Sequence, residues 1–135
     1  MEEASMSLDA IEVITLFVPN LDEVQDFYQR IFAVEIVHQD DVSAVFGFAG
    51  TMINLLAEPQ APVLVDPMQI GSISDGPRML LTILVDDVDA EYERLQSLGV
   101  RFLNGPINQP WGRRTAAFAD PGGFAWEIAQ FTPEK

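Results

Sequence analysis

Two stretches of the chain carry apolar residues at the spacing of a helix, and the apolar residues around them alternate as in strands. Leu21, Val24, Phe27, Tyr28, Ile31 and Phe32 fall on one helical face. Asn20 stands ahead of them with Glu23 three residues on, a helix start of capping-box type. The second stripe is Val88, Tyr92, Leu95 and Leu98, with Asp86 or Asp87 as its cap and Gly99 suited to the left-handed position just past its end. Strand-like runs lie at 11–18, 35–38, 44–48, 52–57, 79–85, 101–103, 115–119 and 124–131. The predicted order is strand, helix and three strands, and then the same again.

The two halves also align residue by residue. Leu16-Phe17-Val18-Pro19-Asn20-Leu21-Asp22 matches Ile83-Leu84-Val85-Asp86-Asp87-Val88-Asp89 at an offset of 67, and at that offset Tyr28 meets Leu95 and Ile31 meets Leu98. One residue is then lost, so that Ala33-Val34 matches Gly99-Val100, and near the ends Ile53-Asn54-Leu55 matches Trp126-Glu127-Ile128. Five elements recurring in register predict one domain of two modules, about 10–58 and about 78–131. The linker, 59–77, holds four prolines and two glycines yet also Val63, Leu64, Val65, Met68 and Ile70. So apolar a connection is expected to pack on something, either spanning the modules or also acting as a lid.

Composition narrows the class of partner. Twenty-one acidic residues against seven basic ones give a formal charge of −14. A surface of that sign repels phosphate backbones and anionic headgroups, so neither nucleic acid nor membrane is an expected partner. The acidity either serves solubility alone or attracts a cationic ligand. No apolar run approaches the ~20 residues of a membrane helix, and the first residues do not read as a signal peptide; a cytoplasmic protein is expected. Cysteine is absent, which removes disulfides, thiolate nucleophiles and cysteine-ligated metals.

Taken together, these residues resemble the vicinal oxygen chelate superfamily, which holds glyoxalase I, extradiol dioxygenases, fosfomycin-resistance enzymes and bleomycin-binding proteins. The resemblance is carried by Val18-Pro19-Asn20-Leu21 with Phe27-Tyr28, by Val85-Asp86-Asp87-Val88 with Leu98-Gly99-Val100, and by the tail from Pro110-Trp111-Gly112-Arg113 to Asp120-Pro121-Gly122-Gly123-Phe124-Ala125-Trp126-Glu127. It implies an α+β fold in which two tandem βαβββ modules form a cupped mixed sheet with helices outside. It also implies a homodimer, since each module bares an apolar sheet face that must be covered within the chain or by a second copy. Asp120-Pro121-Gly122-Gly123 suits the hairpin physically, with one fixed φ and two residues that accept positive φ.

The same resemblance implies a divalent metal held from the first and last strand of each module. Those positions map to Val13, Asn54, Leu80 and Glu127. Only Glu127 is an ionisable ligand, Asn54 offers an amide oxygen, and two alkyl groups offer nothing. Glu12 neighbours Val13, but strand alternation turns it away from the cup. The single histidine, His38, lies off these positions and is read as a surface or rim residue, so a two-histidine facial triad cannot be built from one chain. No cofactor is expected, with a divalent metal left open.

Alternation predicts that Val13, Thr15, Phe17, Met52, Asn54 and Leu56 line the cup from the first module, and Leu80, Thr82, Ala125, Glu127 and Ala129 from the second. Mostly apolar walls with a few polar groups suit a small-molecule pocket. A carboxylate so placed serves as a base or holds a cation, unless Arg113 or Arg114 neutralises it. Trp111, in a loop leading to this strand, is read as a rim contact, and Trp126 as packed under a helix.

Three readings follow. The first is a metal-independent binder of a small, partly aromatic or cationic molecule, with Glu127, Asn54, Trp111, Arg113 and Thr15 among its contacts. The second is a lyase, isomerase or dioxygenase-type enzyme in which Glu127 is the catalytic base or a residual metal ligand, lyase or isomerase chemistry being favoured over dioxygenation. The third is an interaction module whose cup is filled.

Overall fold

The computed structural model describes residues 8–133. Strand β1 (Val13–Val18) leads through helix α1 (Leu21–Ile31) to β2 (Glu35–Gln39), β3 (Ser43–Phe48) and β4 (Thr51–Ala57). After the linker, β5 (Leu80–Leu84) leads through α3 (Val88–Ser97) to β6 (Ile107–Gln109), β7 (Arg113–Ala119) and β8 (Ala125–Phe131). The linker itself contains the short helix α2 (Ala61–Val65) and two 3-10 turns, Glu58–Gln60 and Ile73–Asp75.

Each module is a four-stranded mixed sheet, ordered β1-β4-β3-β2 and β5-β8-β7-β6. In both, the first strand runs parallel to the last, and the other pairs are antiparallel. The α+β class and the duplicated βαβββ plan are as the sequence predicts.

Local chemistry accounts for the helix ends. Asn20 accepts from the Glu23 N–H at 3.1 Å, and of the two candidate caps Asp87 does so, accepting from Ala90 N–H at 3.1 Å. Gly99 takes φ +92° and lets Val100 N–H reach back to the Leu95 carbonyl at 3.0 Å.

One strand lies elsewhere than predicted. Residues 101–103 form no strand; Phe102 makes an isolated bridge to Phe118, and the edge strand is Ile107–Gln109. The cause lies in Asn104-Gly105-Pro106. The Asn104 side chain takes the Ala117 N–H at 3.0 Å, which would otherwise bond a neighbouring strand, and Pro106 has no N–H to give.

The helix-covered faces of the two sheets share one core. Leu16 and Val18 of β1, Phe46 of β3, Ile53 and Leu55 of β4, Phe118 of β7 and Trp126 and Ile128 of β8 are buried in it with Val24, Phe27, Tyr28 and Ile31 of α1. Trp126 does pack under a helix: its ring lies 4.6 Å from Phe32 and 5.6 Å, edge-on, from Tyr28. Aromatic pairs of this kind add about 0.5–1.5 kcal/mol each beyond the area they bury. The helix ends interlock as well, since Arg30 donates to the Leu98 carbonyl and Arg94 to the Ile31 carbonyl at 3.2 Å.

A polar latch sits inside this apolar contact. The buried Asp120 carboxylate accepts from the Tyr28 hydroxyl at 2.6 Å and the Trp126 indole N–H at 3.1 Å through Oδ2, while Oδ1 accepts from the N–H groups of Gly122 at 2.8 Å and Phe124 at 3.0 Å. One side chain thus closes the β7–β8 hairpin and ties it to the helix of the other module. Burial pushes the Asp120 carboxyl up from its ordinary value, against the downward pull of those four donors. Burial, reinforced by the Asp120 charge, likewise raises the Tyr28 phenol well above its usual range.

Candidate functional site

Because the helix-covered faces meet in the shared core, the opposite faces of the sheets point away from it. On the first sheet the register sets Val13 beside Met52, Thr15 beside Asn54, and Phe17 beside Leu56. On the second it sets Leu80 beside Ala125, Thr82 beside Glu127, and Leu84 beside Ala129. The predicted lining residues of each module therefore do share one bare face. Val13 is 36% and Leu80 50% exposed on these faces, whereas Leu56, Ala125 and Ala129 are buried.

The repeat places equivalent polar pairs at the middle of each bare face. In the first module Asn54 donates through Nδ2 to Thr15 Oγ1 at 3.3 Å, and its Oδ1 is buried with no hydrogen-bond partner among the described residues. In the second, Thr82 Oγ1 donates to Glu127 Oε1 at 2.9 Å. Both pairs join the first and last strand of their module. Both leave acceptor capacity unused: the Asn54 carbonyl oxygen, and the second oxygen of a carboxylate that accepts up to four hydrogen bonds.

Of the two alternatives for Glu127, neutralisation by Arg113 or Arg114 is not what the structure shows. Arg114 lies on the helix-covered face and pairs with Asp89 of α3 at 2.9 Å, an interaction that holds the Asp89 carboxyl below its usual value. Arg113 shares the bare face but pairs in register with Phe131, its guanidinium 4.2 Å above that ring. Four residues of strand separate Phe131 from Glu127, about 13 Å. Among the described residues no cation pairs with Glu127.

Three residues around Glu127 were not read from the sequence. Ala117 pairs directly with it, and Thr115, which accepts from Gln109 Nε2 at 3.0 Å, lies one row further on. Counting back from the Asp120-Gly123 hairpin by twos would have found Ala117 and Thr115, while Gln109 needed the misplaced edge strand. With Ala125 and Ala129, Ala117 leaves room around the carboxylate on both sides.

Trp111 and His38 stand apart from these pairs. Trp111 is 68% exposed on the β6–β7 hairpin, at the Arg113–Phe131 end of the second sheet. His38 pairs with Val45 on the edge strand, two strands from Asn54 and so about 10 Å away, and its Nε2 lies 3.0 Å from Asp40. Glu12, just ahead of β1, is exposed.

A divalent metal does not fit this donor set. The four mapped positions supply two alkyl chains, one amide and one carboxylate, with Thr15 and Thr82 as neutral hydroxyl neighbours. Among the described residues no three His, Asp or Glu side chains converge. Hard cations want several oxygens and transition metals want imidazole or several carboxylates. What the faces offer instead is hydrogen-bond acceptors in apolar surroundings, which suits a ligand that brings N–H or O–H donors.

Comparison with known proteins agrees with the fold. The Glyoxalase/Bleomycin resistance protein/Dioxygenase superfamily matches residues 10–128. The metallothiol transferase FosB of Lysinibacillus sphaericus is 24% identical over 123 residues, which cover 91% of this chain and 83% of that protein. A glyoxalase/bleomycin resistance protein/dioxygenase from Nocardioides superposes with a TM-score of 0.84 at 20% identity, over 97% of this chain and 89% of the other. TnmS3, an antibiotic binding protein from Streptomyces sp. CB03234, superposes with a TM-score of 0.70 at 28% identity, over 95% and 100%. No helix of the described residues is long and apolar enough to cross a membrane. With the duplicated βαβββ sheets, the Asp-Pro-Gly-Gly hairpin and a family match across nearly the whole length, this chain belongs to the Glyoxalase/Bleomycin resistance protein/Dioxygenase superfamily.

Proposed function

We propose that the protein is a metal-independent binder of a small, partly aromatic or cationic molecule. The observation that carries this reading is the pair of half-sites, Thr15–Asn54 and Thr82–Glu127, where the family's ligand positions hold alkyl and acceptor groups. An amine or hydroxyl of the ligand would satisfy the buried Asn54 Oδ1, and its positive charge would meet Glu127. The likeness to an antibiotic-binding protein adds support at the level of chemistry.

The half-sites lie on faces that point away from the core of one chain, so a closed cup needs a second copy. In a homodimer the first sheet of one protomer faces the second sheet of its partner, and two equivalent cups result, each with one Thr15–Asn54 and one Thr82–Glu127. The exposed Leu80, Leu84 and Val13 are the apolar surface that such pairing would cover.

The test is elemental analysis after incubation with nickel, zinc, manganese and iron(II) followed by desalting, with sedimentation to read the assembly. The expected result is metal well below one equivalent per chain and a dimer. Near-stoichiometric metal that is lost in Glu127→Ala would overturn the reading in favour of metal-dependent catalysis. A monomer that holds ligand would overturn the shared cup. Glu127→Gln should weaken ligand binding; intact binding with lost turnover of any candidate substrate would instead make Glu127 a catalytic base.

A further inference from the structure

Beyond the cup, the linker walls a second cavity. Residues 69–79 run past the end of β1 and the β7–β8 hairpin and border an open cavity of about 580 Å³, within the usual size of a small-molecule pocket. Its position depends on a close contact: a Cβ on Gly123, whose φ is +88°, would stand 2.2 Å from Ile73 Cγ1, so only glycine lets the linker lie against the hairpin there. Phe17, Phe124, Ile70 and Met79 supply apolar wall. Phe17, read from the sequence as a cup residue, thus also lines this cavity beside the linker.

The charged groups on these walls are unequal in their commitments. Asp75 is occupied, since its Oδ2 accepts from the Ser72 N–H at 2.8 Å and the Ser72 hydroxyl at 3.3 Å to close its own turn. Glu58 and Arg78 also line the cavity, yet among the described residues neither forms an ion pair, with the other or with anything else. Glu58 is half-buried and Arg78 exposed, and the two form no ion pair with each other, so a ligand that carries both signs complements both at once. A neutral ligand gains from neither, and a singly charged one gains from only one. In a chain of net charge −14, a local guanidinium is also what an anionic group needs in order to stay.

We propose that this cavity is a second binding site, for a small zwitterion with an apolar body. Its amine lies on Glu58, its carboxylate on Arg78, and its apolar portion on Phe17 and Phe124. The site shares Phe17 with the cup face but takes its charged contacts from Glu58 and Arg78, so its failure is distinguishable from that of the Thr82–Glu127 half-site.

The experiment is calorimetric titration of the full chain with L-phenylalanyl-L-leucine, its N-acetyl derivative and its C-terminal amide. The free dipeptide should bind, and N-acetylation or amidation should each weaken it by about threefold to tenfold, the worth of one hydrogen bond at a partly exposed site. In Glu58→Gln the acetyl group should cost nothing further, and in Arg78→Gln the amide should cost nothing further. Both substitutions lie at the ends of the linker, Glu58 half-buried and Arg78 exposed, and thermal melting confirms that each variant is folded. Absence of dipeptide binding at its solubility limit would overturn the proposal, as would equal affinity for all three compounds. Binding that is lost in Glu127→Gln and kept in Glu58→Gln would place the dipeptide in the cup and overturn it as well.

Discussion

In the first module Thr15 is paired with an amide, Asn54; in the second, the equivalent Thr82 is paired with a carboxylate, Glu127. The hairpins differ too. The β3–β4 turn of the first module is the short Ala49-Gly50, with Gly50 at φ +90° and open space around it. The β7–β8 turn of the second is held by Asp120, which reaches across to Tyr28 of the first. The same backbone plan thus carries a neutral half-site on one sheet, and a charged half-site and the inter-module latch on the other. The half-sites differ by side chain alone, since Thr15–Asn54 and Thr82–Glu127 occupy equivalent register positions of one backbone plan. The packed positions differ as well, Ile53 matching Trp126 and Tyr28 matching Leu95.

The sharpest way to break this asymmetry is at the latch. Asp120→Ala leaves the Tyr28 hydroxyl, the Trp126 N–H and two backbone N–H groups without their acceptor, and should cost about 3–5 kcal/mol of unfolding free energy. Urea denaturation reads it. A loss under about 1 kcal/mol would mean that the two modules hold together by apolar packing alone. Tyr28→Phe removes one donor and keeps the ring, so a loss of about 1.5–3 kcal/mol is expected by the same method.

The first half-site should respond in the opposite sense. Replacing Thr15 by Val together with Asn54 by Leu removes the unpartnered Oδ1, and stability should stay level or rise by roughly 1 kcal/mol while ligand binding weakens. A substantial loss of stability would show that the pair is part of the folding core. Thr82→Val, on the more exposed second face, should change stability by less than about 0.5 kcal/mol.

The smallest effect expected is a pH dependence of the latch. Asp120 has a raised pKa in the folded chain, so the folded state holds its proton more tightly than the unfolded state does. Its contribution is therefore fullest below the ordinary carboxylate value and falls as pH rises through the raised one. The stability advantage of the native chain over Asp120→Asn should narrow over that interval. A gap that widens with pH would mean that the four hydrogen bonds outweigh burial.

How much of this was legible in advance differs by region. Both helices were readable because Val24, Phe27, Tyr28 and Ile31, and then Val88 and Leu95, recur at the period that buries one face, and because Asn20 and Asp87 cap through short local hydrogen bonds. The bare-face residues were readable because alternation in a strand is strict once one side is known to be buried. The edge strand was misplaced because Phe102 and Leu103 look like a strand locally, whereas Asn104 and Pro106 decide the outcome through a contact with β7.

By itself, then, the order of residues determined the duplicated βαβββ plan, the helix ends, the turn at Asp120-Gly123 and the poverty of metal ligands at the mapped positions. These follow from periodicity, local hydrogen bonding and side-chain chemistry, which act over a few residues. Only the tertiary structure decided that Asp120 meets Tyr28, that Glu127 takes Thr82 and no arginine, that the linker lies beside Phe17 and the β7–β8 hairpin, and that the bare sheet faces turn away from a shared core. Those outcomes join residues tens of positions apart, and pairings at that range are chosen by which apolar faces can be buried together and which charges can be satisfied at once.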